Sequence, residues 1–173
     1  MRSIMILGSF LLALGSPHAA LAAEEPLKKI VILDFELIDE TLDRAADASQ
    51  VERIKKASAE LRKQFAEKRF YEVVDNEPAQ PLIDKLKSGQ NLRECNGCEV
   101  DIGKALNADR VLTAWVQKVS NLILNLNIAI TDVSTGEVVT NKSVDIRSNT
   151  DDSWLRGIRY MMRSMEDKQQ ANR

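Results

Sequence analysis

Histidine is almost absent from the sequence, because His18 is the only one in 173 residues. It lies in an amino-terminal segment that we expect to be cleaved off, which would leave the mature chain without an imidazole. Ser-His-Asp and Cys-His catalysis need an imidazole to move a proton, and many zinc, copper and haem-iron sites use it as a ligand. We therefore expect no such site, no metal and no cofactor. Acid–base chemistry by carboxylates or lysines stays open, but no catalytic constellation is visible, so we expect a protein that is not an enzyme.

An excess of charge of one sign is also missing. The chain has 24 Lys and Arg against 26 Asp and Glu, and both signs are interspersed. Nucleic acid and anionic lipid surfaces are bound by clustered basic residues. The sequence therefore predicts no nucleic-acid partner.

The amino terminus has the three-part pattern of a secretory signal peptide. Arg2 is followed by an apolar run from Ile4 to Leu14 and then by small residues around Ala20-Leu21-Ala22. The apolar run is shorter than the ~20 residues that a membrane-spanning helix needs. We expect residues 1–22 to be removed after Ala22, without a transmembrane anchor and without a cysteine for lipid attachment. Residues 23–173 would then be a soluble exported protein, most simply a periplasmic one.

The first part of the mature chain predicts a strand, a long helix and a second strand. Lys28 to Asp39 opens with the apolar run Ile30 to Leu33, which is typical of a strand buried on both faces. From about Leu42 to Arg69, apolar residues recur at helical spacing. Phe70 to Asp75 predicts a short strand. Such a unit makes the two strands parallel, with a right-handed connection.

The remainder predicts two short helices, three strands and a final helix. The short helices lie around Leu82 to Leu86 and at Val100 to Asn107. The strands are expected at Asp109 to Val119, Leu122 to Asp132 and Val138 to Arg147, as an antiparallel meander. Asn149 is expected to cap the last helix, which should fray after about residue 166. The order β-α-β-α-α-β-β-β-α predicts a single α/β domain with a mixed sheet of about five strands and helices on it.

Several segments carry a resemblance to known proteins. KKIVILDFEL, FYEVVD, IGKALNADRVLTAWVQKVS and IAITDVSTGEVV resemble the envelope domains of the TolB amino-terminal and curli-secretion lipoprotein type. CNGCEVDIGKALNADRVL and SVDIRSNTDDSWLRG are similar to a family of small exported proteins of unknown function. These resemblances imply a non-catalytic accessory or binding role in the envelope, with another periplasmic or outer-membrane protein as partner. They also imply an association with quinone-cofactor alcohol dehydrogenase systems.

The only cysteines, Cys95 and Cys98, form a C-x-x-C motif. Covalent haem attachment needs histidine at the next position, which is Glu99, and a zinc site needs four ligands. In an oxidising compartment the expected state is a structural disulfide, closed around the turn-prone Asn96-Gly97 pair. The alternative is a thiol–disulfide protein, because Cys98 begins a predicted helix whose dipole would stabilise a thiolate.

Three carboxylates are expected at one edge of the sheet. Asp34, Glu36 and Asp75 lie near the carboxyl ends of the two predicted parallel strands, where open α/β sheets usually bind ligands. They form a candidate acidic pocket for a cation or an amine. The alternative interpretation is that they cap loops or pair with basic side chains.

A second cluster lies at the junction between the last strand and the last helix. It consists of Arg147, Asp151, Asp152, Trp154 and Arg156. The spacing of Trp154 with Ile158 and Met161 predicts a core position for the indole. An indole flanked by arginines at an exposed edge would also suit a protein partner, so the cluster is a candidate partner surface.

Overall fold

The computed structural model describes residues 26–41 and 48–171. The predicted signal peptide and the predicted start of the long helix at Leu42 lie outside these ranges. The strands are β1 (Lys29–Asp39), β2 (Glu72–Val74), β3 (Arg110–Lys118), β4 (Leu124–Asp132) and β5 (Val138–Ile146). The helices are α1 (Ala48–Lys68), α2 (Gln80–Lys87), α3 (Cys98–Ala105) and α4 (Asp151–Ala171), and a 3-10 turn at Glu77–Ala79 leads into α2.

The five strands form one mixed sheet in the order β2-β1-β3-β4-β5. β1 is parallel to β2 on one side and to β3 on the other. β3, β4 and β5 are antiparallel neighbours. The predicted α/β class, the parallel pairing of the first two strands and the antiparallel meander are thereby confirmed.

One face of the sheet is covered by α1 and α4, which carry the larger apolar cluster. Phe65 from α1 and Trp154 from α4 are fully buried there against β-strand residues such as Leu126 and Ile128. Burying a side chain of this size stabilises the fold by about 1.5–3 kcal/mol. The helical spacing of Trp154, Ile158 and Met161 thus has the core role that the sequence predicted.

The opposite face carries a smaller apolar cluster beneath α2 and α3. Val31 and Leu33 alternate with Ile30 and Ile32 along β1, so this strand supplies both clusters and is buried on both faces as predicted. Ile102 and Cys98 from α3 close the smaller cluster. The continuous apolar run in the sequence follows from this double burial.

Several element ends differ by one or more residues from the sequence-based expectation, among them the start of β4 and the end of α4. β4 begins at Leu124 rather than Leu122, because the Ser120 hydroxyl accepts the N–H groups of Leu122 and Ile123 and holds them in the turn. Leu122 is consequently exposed. α4 continues through Ala171, past Glu166, where the Lys68 side chain donates a hydrogen bond to the Glu166 carboxylate. Within the described ranges no helix is long and apolar enough to cross a membrane.

Candidate docking groove at the open edge of the sheet

The two edges of the sheet differ in length. β2 has three residues, whereas β5 at the other edge has nine. No strand in the described part of the chain pairs with the outer side of β5. An outer edge of this length presents unpaired backbone N–H and C=O groups to which an extended peptide can add as a further strand.

A groove runs between β5 and α4. Its first hollow, of about 720 Å³, is lined by Val144, Arg147, Arg156 and Tyr160, among others. A second hollow, of about 420 Å³, lies further along α4. We call β5 together with these two hollows the edge groove.

The second hollow has an apolar base and basic sides. Phe70 and Met165 supply apolar surface, and Lys142 and Lys168 supply charge. The Lys142 ammonium group donates a 3.3 Å hydrogen bond to the Ser164 hydroxyl of α4, so it bridges the strand and the helix. This combination suits a ligand or peptide with an apolar group next to a negative one.

The close approach of α4 to the sheet depends on Gly157. A Cβ atom at this position would lie 2.5 Å from Leu126 Cδ1 and 2.6 Å from Ile146 Cγ2. Both neighbours are buried side chains of β4 and β5. Any larger residue would therefore push the helix away from the strands, and glycine fixes the width of the first hollow.

The residues of the predicted partner surface do not all lie at the surface, because one of them is part of the core. Trp154 is fully buried, and its indole N–H donates to Asn149 Oδ1 at 3.1 Å. The Arg53 guanidinium lies over the indole, 5.8 Å from its centroid, and also donates to Asn149 Oδ1. Trp154 thus takes no part in a surface, because its ring is enclosed between α1 and α4.

Asn149 does not cap α4 as predicted. The Thr150 hydroxyl accepts the N–H group of Ser153, while the Asn149 side chain is committed to Trp154 and Arg53. Asp151 has a related structural role, since its carboxylate binds Lys56 at 2.6 Å and Arg53 at 2.9 Å. These hydrogen bonds from Lys56 and Arg53 lower the pKa of Asp151.

Arg147, Asp152 and Arg156 are the members of this cluster that are exposed to solvent. Arg147 and Arg156 line the first hollow of the edge groove. Arg156 pairs with Asp152 at 3.1 Å, one turn earlier on α4. Exposed pairs of this kind contribute little to stability, so Arg156 can engage another molecule at small cost.

The three carboxylates of the predicted acidic pocket do not form one site. Asp34 and Asp75 line a hollow of about 480 Å³, together with Arg62. Glu36 lies on the other face of the sheet, where its carboxylate accepts the N–H groups of Leu92 at 2.8 Å and Arg93 at 3.3 Å.

A bulge in β1 separates these carboxylates. The register with β3 shifts between Ile32 and Phe35, and both of these residues join the cluster beneath α1 and α4. Side chains normally alternate along a strand, so the shift inverts the alternation. Asp34 therefore faces α1, whereas Glu36 faces the loop before α3.

Side chains around Asp34 make hydrogen bonds with the backbone groups that the bulge leaves unpaired. The Ile32 carbonyl accepts hydrogen bonds from the Arg62 guanidinium at 3.0 Å and from the Asn76 amide at 2.7 Å. Arg62 also binds the Asp34 carboxylate at 2.7 Å, and the Ser58 hydroxyl accepts the N–H of Phe35 at 3.0 Å. This arrangement favours the interpretation in which the carboxylates pair with basic side chains and cap loops. Among the described residues, no three His, Cys, Asp or Glu side chains are grouped closely enough to hold a metal.

Cys95 and Cys98 are paired as a disulfide, with their Cα atoms 5.5 Å apart. Gly97 adopts a φ of 95° between them, and α3 begins at Cys98, at the predicted helix start but two residues before the predicted bound at Val100. Cys98 is buried in the smaller apolar cluster, and Cys95 packs against it.

The loop before this disulfide is held on the sheet. Glu36 binds its backbone, and the Arg93 guanidinium lies 5.7 Å from the centre of the Trp115 ring. Glu36 and Trp115 are paired neighbours on β1 and β3. The disulfide thus closes a short segment that non-covalent contacts already fix at a second point.

A buried ion pair ties the carboxyl ends of β1 and β3 together. Lys118 Nζ lies 2.8 Å from the Asp39 carboxylate, and only 6% of the Lys118 side chain is exposed. Burial raises the pKa of Asp39, but hydrogen bonds from Lys118 and Thr41 outweigh it and lower the pKa to about 2.

Sequence reasoning missed the central residues of the edge groove, namely Lys142, Tyr160 and Lys168. Tyr160 is 57% exposed on α4, next to the buried Met161. An exposed aromatic residue on an otherwise charged helix face was the available signal. This signal points to a groove only when the strand order is known, because that order places β5 at the edge of the sheet.

Comparison with solved structures shows a likeness of fold. The LpoB carboxy-terminal domain from Salmonella enterica is similar with a TM-score of 0.54 and 15% identity, over 71% of this chain and 85% of that chain. The NMR structure of Escherichia coli LpoB gives 0.53 and 14% identity, over 86% of this chain and 80% of that chain. At these identities only the fold is shared.

TolB from Acinetobacter baumannii gives a TM-score of 0.40 and 11% identity, over 73% of this chain and 25% of that chain. No curated protein matches the sequence. The family described as "protein of unknown function (DUF2380)" matches residues 28–165, and the chain belongs to this family.

Proposed function

We propose that this protein is a non-catalytic periplasmic accessory that binds another envelope protein through the edge groove. The observation that carries the proposal is the nine-residue open edge of β5 beside two hollows, one of which is lined by the exposed Arg147 and Arg156. An edge strand supplies affinity through main-chain hydrogen bonds, and pockets beside it supply specificity. The missing histidine in residues 23–173 excludes imidazole-based catalysis and so favours a binding role over a catalytic one.

Site-specific photo-crosslinking in intact cells of the native host tests this function. A photoreactive amino acid is placed at Tyr160 in the groove and, as a control, at Lys63, which is similarly exposed on α1. We expect a discrete adduct with one exported envelope protein from position 160 and none from position 63. No adduct from position 160, or the same adducts from both positions, would overturn the proposal.

Two further measurements test the proposed periplasmic location and the proposed link to alcohol oxidation. Protein recovered from a periplasmic fraction should begin at Ala23, and fractionation with cytoplasmic markers would contradict export. If the resemblance to proteins beside quinone-cofactor alcohol dehydrogenases reflects a shared role, deletion of the gene should impair growth on an alcohol. Unchanged growth would contradict a role in alcohol oxidation. The binding role would still be tested by the crosslinking experiment.

A thiol–disulfide protein is the second candidate, because a C-x-x-C pair lies at the start of α3. The contacts of the loop favour a structural disulfide instead, since Cys98 is 5% exposed and Glu36 holds the preceding backbone. Measuring the reduction potential in a glutathione or dithiothreitol buffer series separates the two. A potential below about −300 mV identifies a structural disulfide, and one near the values of exchange-active proteins would favour the second candidate.

A further inference from the structure

We infer that the occupant of the edge groove is an extended acidic segment of the partner, which adds to β5 as a sixth strand. This inference rests on the proposed function and specifies the chemistry of the partner. Its first element is the backbone of β5, which among the described residues pairs on one side only, with β4 from Leu124↔Ile146 to Thr131↔Val138. A peptide of similar length can therefore pair along the whole of the outer side.

The charge of the groove determines which charge a partner segment should carry. Lys142 and Lys168 line the second hollow, and Arg147 and Arg156 line the first. Asp145 is the acidic residue in these linings, and its carboxylate accepts a hydrogen bond from the Asn125 side chain on β4. The groove is thus positive in a chain whose net charge is −2.

Three of these cations are available to a ligand. Lys142, Arg147 and Lys168 form no ion pair with any residue in the described ranges. They are spread along the length of β5 and α4 rather than gathered at one point. Such an arrangement fits several negative charges spaced along an extended chain better than a single compact anion.

Apolar side chains supply the second requirement for a peptide. Tyr160 in the first hollow is 57% exposed, and Val139 in the second is 48% exposed. In an added strand, alternate side chains point to the same face. A segment in which acidic and β-branched residues alternate can therefore turn its carboxylates towards the cations beside α4 and its β-branched side chains towards the opposite face of the sheet.

The same charges disfavour a second copy of this chain as the occupant. Pairing two β5 edges would bring two cation-lined grooves together, with Lys142 near the middle of each strand. A lysine on an edge strand is a common device against pairing between copies. The partner segment is accordingly expected to belong to a different protein.

Synthetic peptides of the same length as β5 test the inference on the full mature protein. One alternates glutamate with valine, and a second alternates lysine with valine. A third is the glutamate peptide with N-methylated backbone amides, which cannot donate to β5. Binding is measured by fluorescence anisotropy, and amide hydrogen exchange locates it. The glutamate peptide should bind at least tenfold more tightly than the other two and should slow exchange in β5.

Matched protein variants locate the charge effect. Lys142→Glu with Lys168→Glu should weaken binding of the glutamate peptide at least tenfold, whereas Lys55→Glu with Lys63→Glu on the exposed face of α1 should leave it unchanged. Both double variants change the net charge equally. Circular dichroism and thermal unfolding confirm that each is folded.

Four results would overturn the inference. These are equal binding of the glutamate and lysine peptides, equal binding of the N-methylated peptide, equal weakening by the α1 control, or a protein dimer that dissociates on reversal of Lys142 and Lys168. If position 160 still crosslinks to an envelope protein while the glutamate peptide fails, the proposed function stands and the acidic-strand inference falls. If position 160 gives no adduct and the glutamate peptide does not bind, the proposed function and the acidic-strand inference are both contradicted.

Discussion

Replacing Gly157 by alanine should destabilise the protein although the residue lies within a helix. The added Cβ would lie 2.5 Å from Leu126 Cδ1 and 2.6 Å from Ile146 Cγ2, well inside contact distance. Leu126 is fully buried and Ile146 nearly so, so neither can turn out of the way into solvent. The strain must be relieved by moving α4 from the sheet or by displacing the two side chains.

Two opposing effects set the magnitude. Alanine is favoured over glycine in a helix by about 1 kcal/mol, whereas inserting a methyl group into a well-packed core costs about 1–3 kcal/mol. Because Gly157 is enclosed by two buried side chains, the cost should lie near the upper end. We therefore expect a net loss of about 2 kcal/mol, or a fall in Tm of roughly 4–8 °C for a domain of this size.

Gly89→Ala is the matched control. Gly89 follows α2 in a turn, and nothing lies within 4 Å of the position its Cβ would take. Like Gly157→Ala, the Gly89→Ala substitution reduces the backbone freedom of the unfolded chain, which stabilises the folded state by about 0.4–1 kcal/mol. Denaturant unfolding of both variants isolates the packing term. A Gly157→Ala protein as stable as Gly89→Ala would refute the close packing of α4 on β4 and β5.

Three other predictions concern the disulfide, the buried ion pair and the groove. Replacing both Cys95 and Cys98 by serine should lower the free energy of unfolding by less than about 2 kcal/mol, because the closed loop is short; a loss of folding would contradict this. The lowered pKa of Asp39, about 2, means that the pair with Lys118 stabilises the fold above about pH 4. That stability should be lost as the pH falls towards 2, and Asp39→Asn should flatten the pH dependence of unfolding over this range. Tyr160→Ala should change the unfolding free energy by no more than about 0.5 kcal/mol while weakening binding of the glutamate peptide; strong destabilisation would place Tyr160 in the core.

The sequence predicted the elements well because their periodicities reflect burial. Ile30 to Leu33 are buried on both faces of the sheet, and the stripe through Trp154 and Ile158 faces the core. The same patterns could not give the strand order, since a continuous apolar run shows that a strand is central but not which strands flank it. The exposed position of β5 depends on that order.

The candidate sites were less predictable for a geometric reason. Asp34 and Glu36 are two residues apart, so a regular strand would place them on one face. The bulge between Ile32 and Phe35 inverts this expectation, and no residue type in the segment signals it. Likewise, the role of Trp154 depends on Arg53, which is 101 residues earlier in the chain and meets the indole only in the folded protein.

The bulge in β1 also explains why binding is expected at β5 rather than at the carboxyl ends of the parallel strands. By turning Glu36 towards the loop, the bulge commits this carboxylate to the backbone of Leu92 and Arg93. By freeing the Ile32 carbonyl, it commits Arg62 and Asn76 as well. At the usual ligand-binding edge of an α/β sheet, the Glu36 carboxylate, the Arg62 guanidinium and the Asn76 amide nitrogen are thus engaged in internal hydrogen bonds. In the described chain the outer side of β5 pairs with no other strand, and Lys142, Arg147 and Lys168 beside it have no ion-pair partner, so these are the groups that a partner can satisfy.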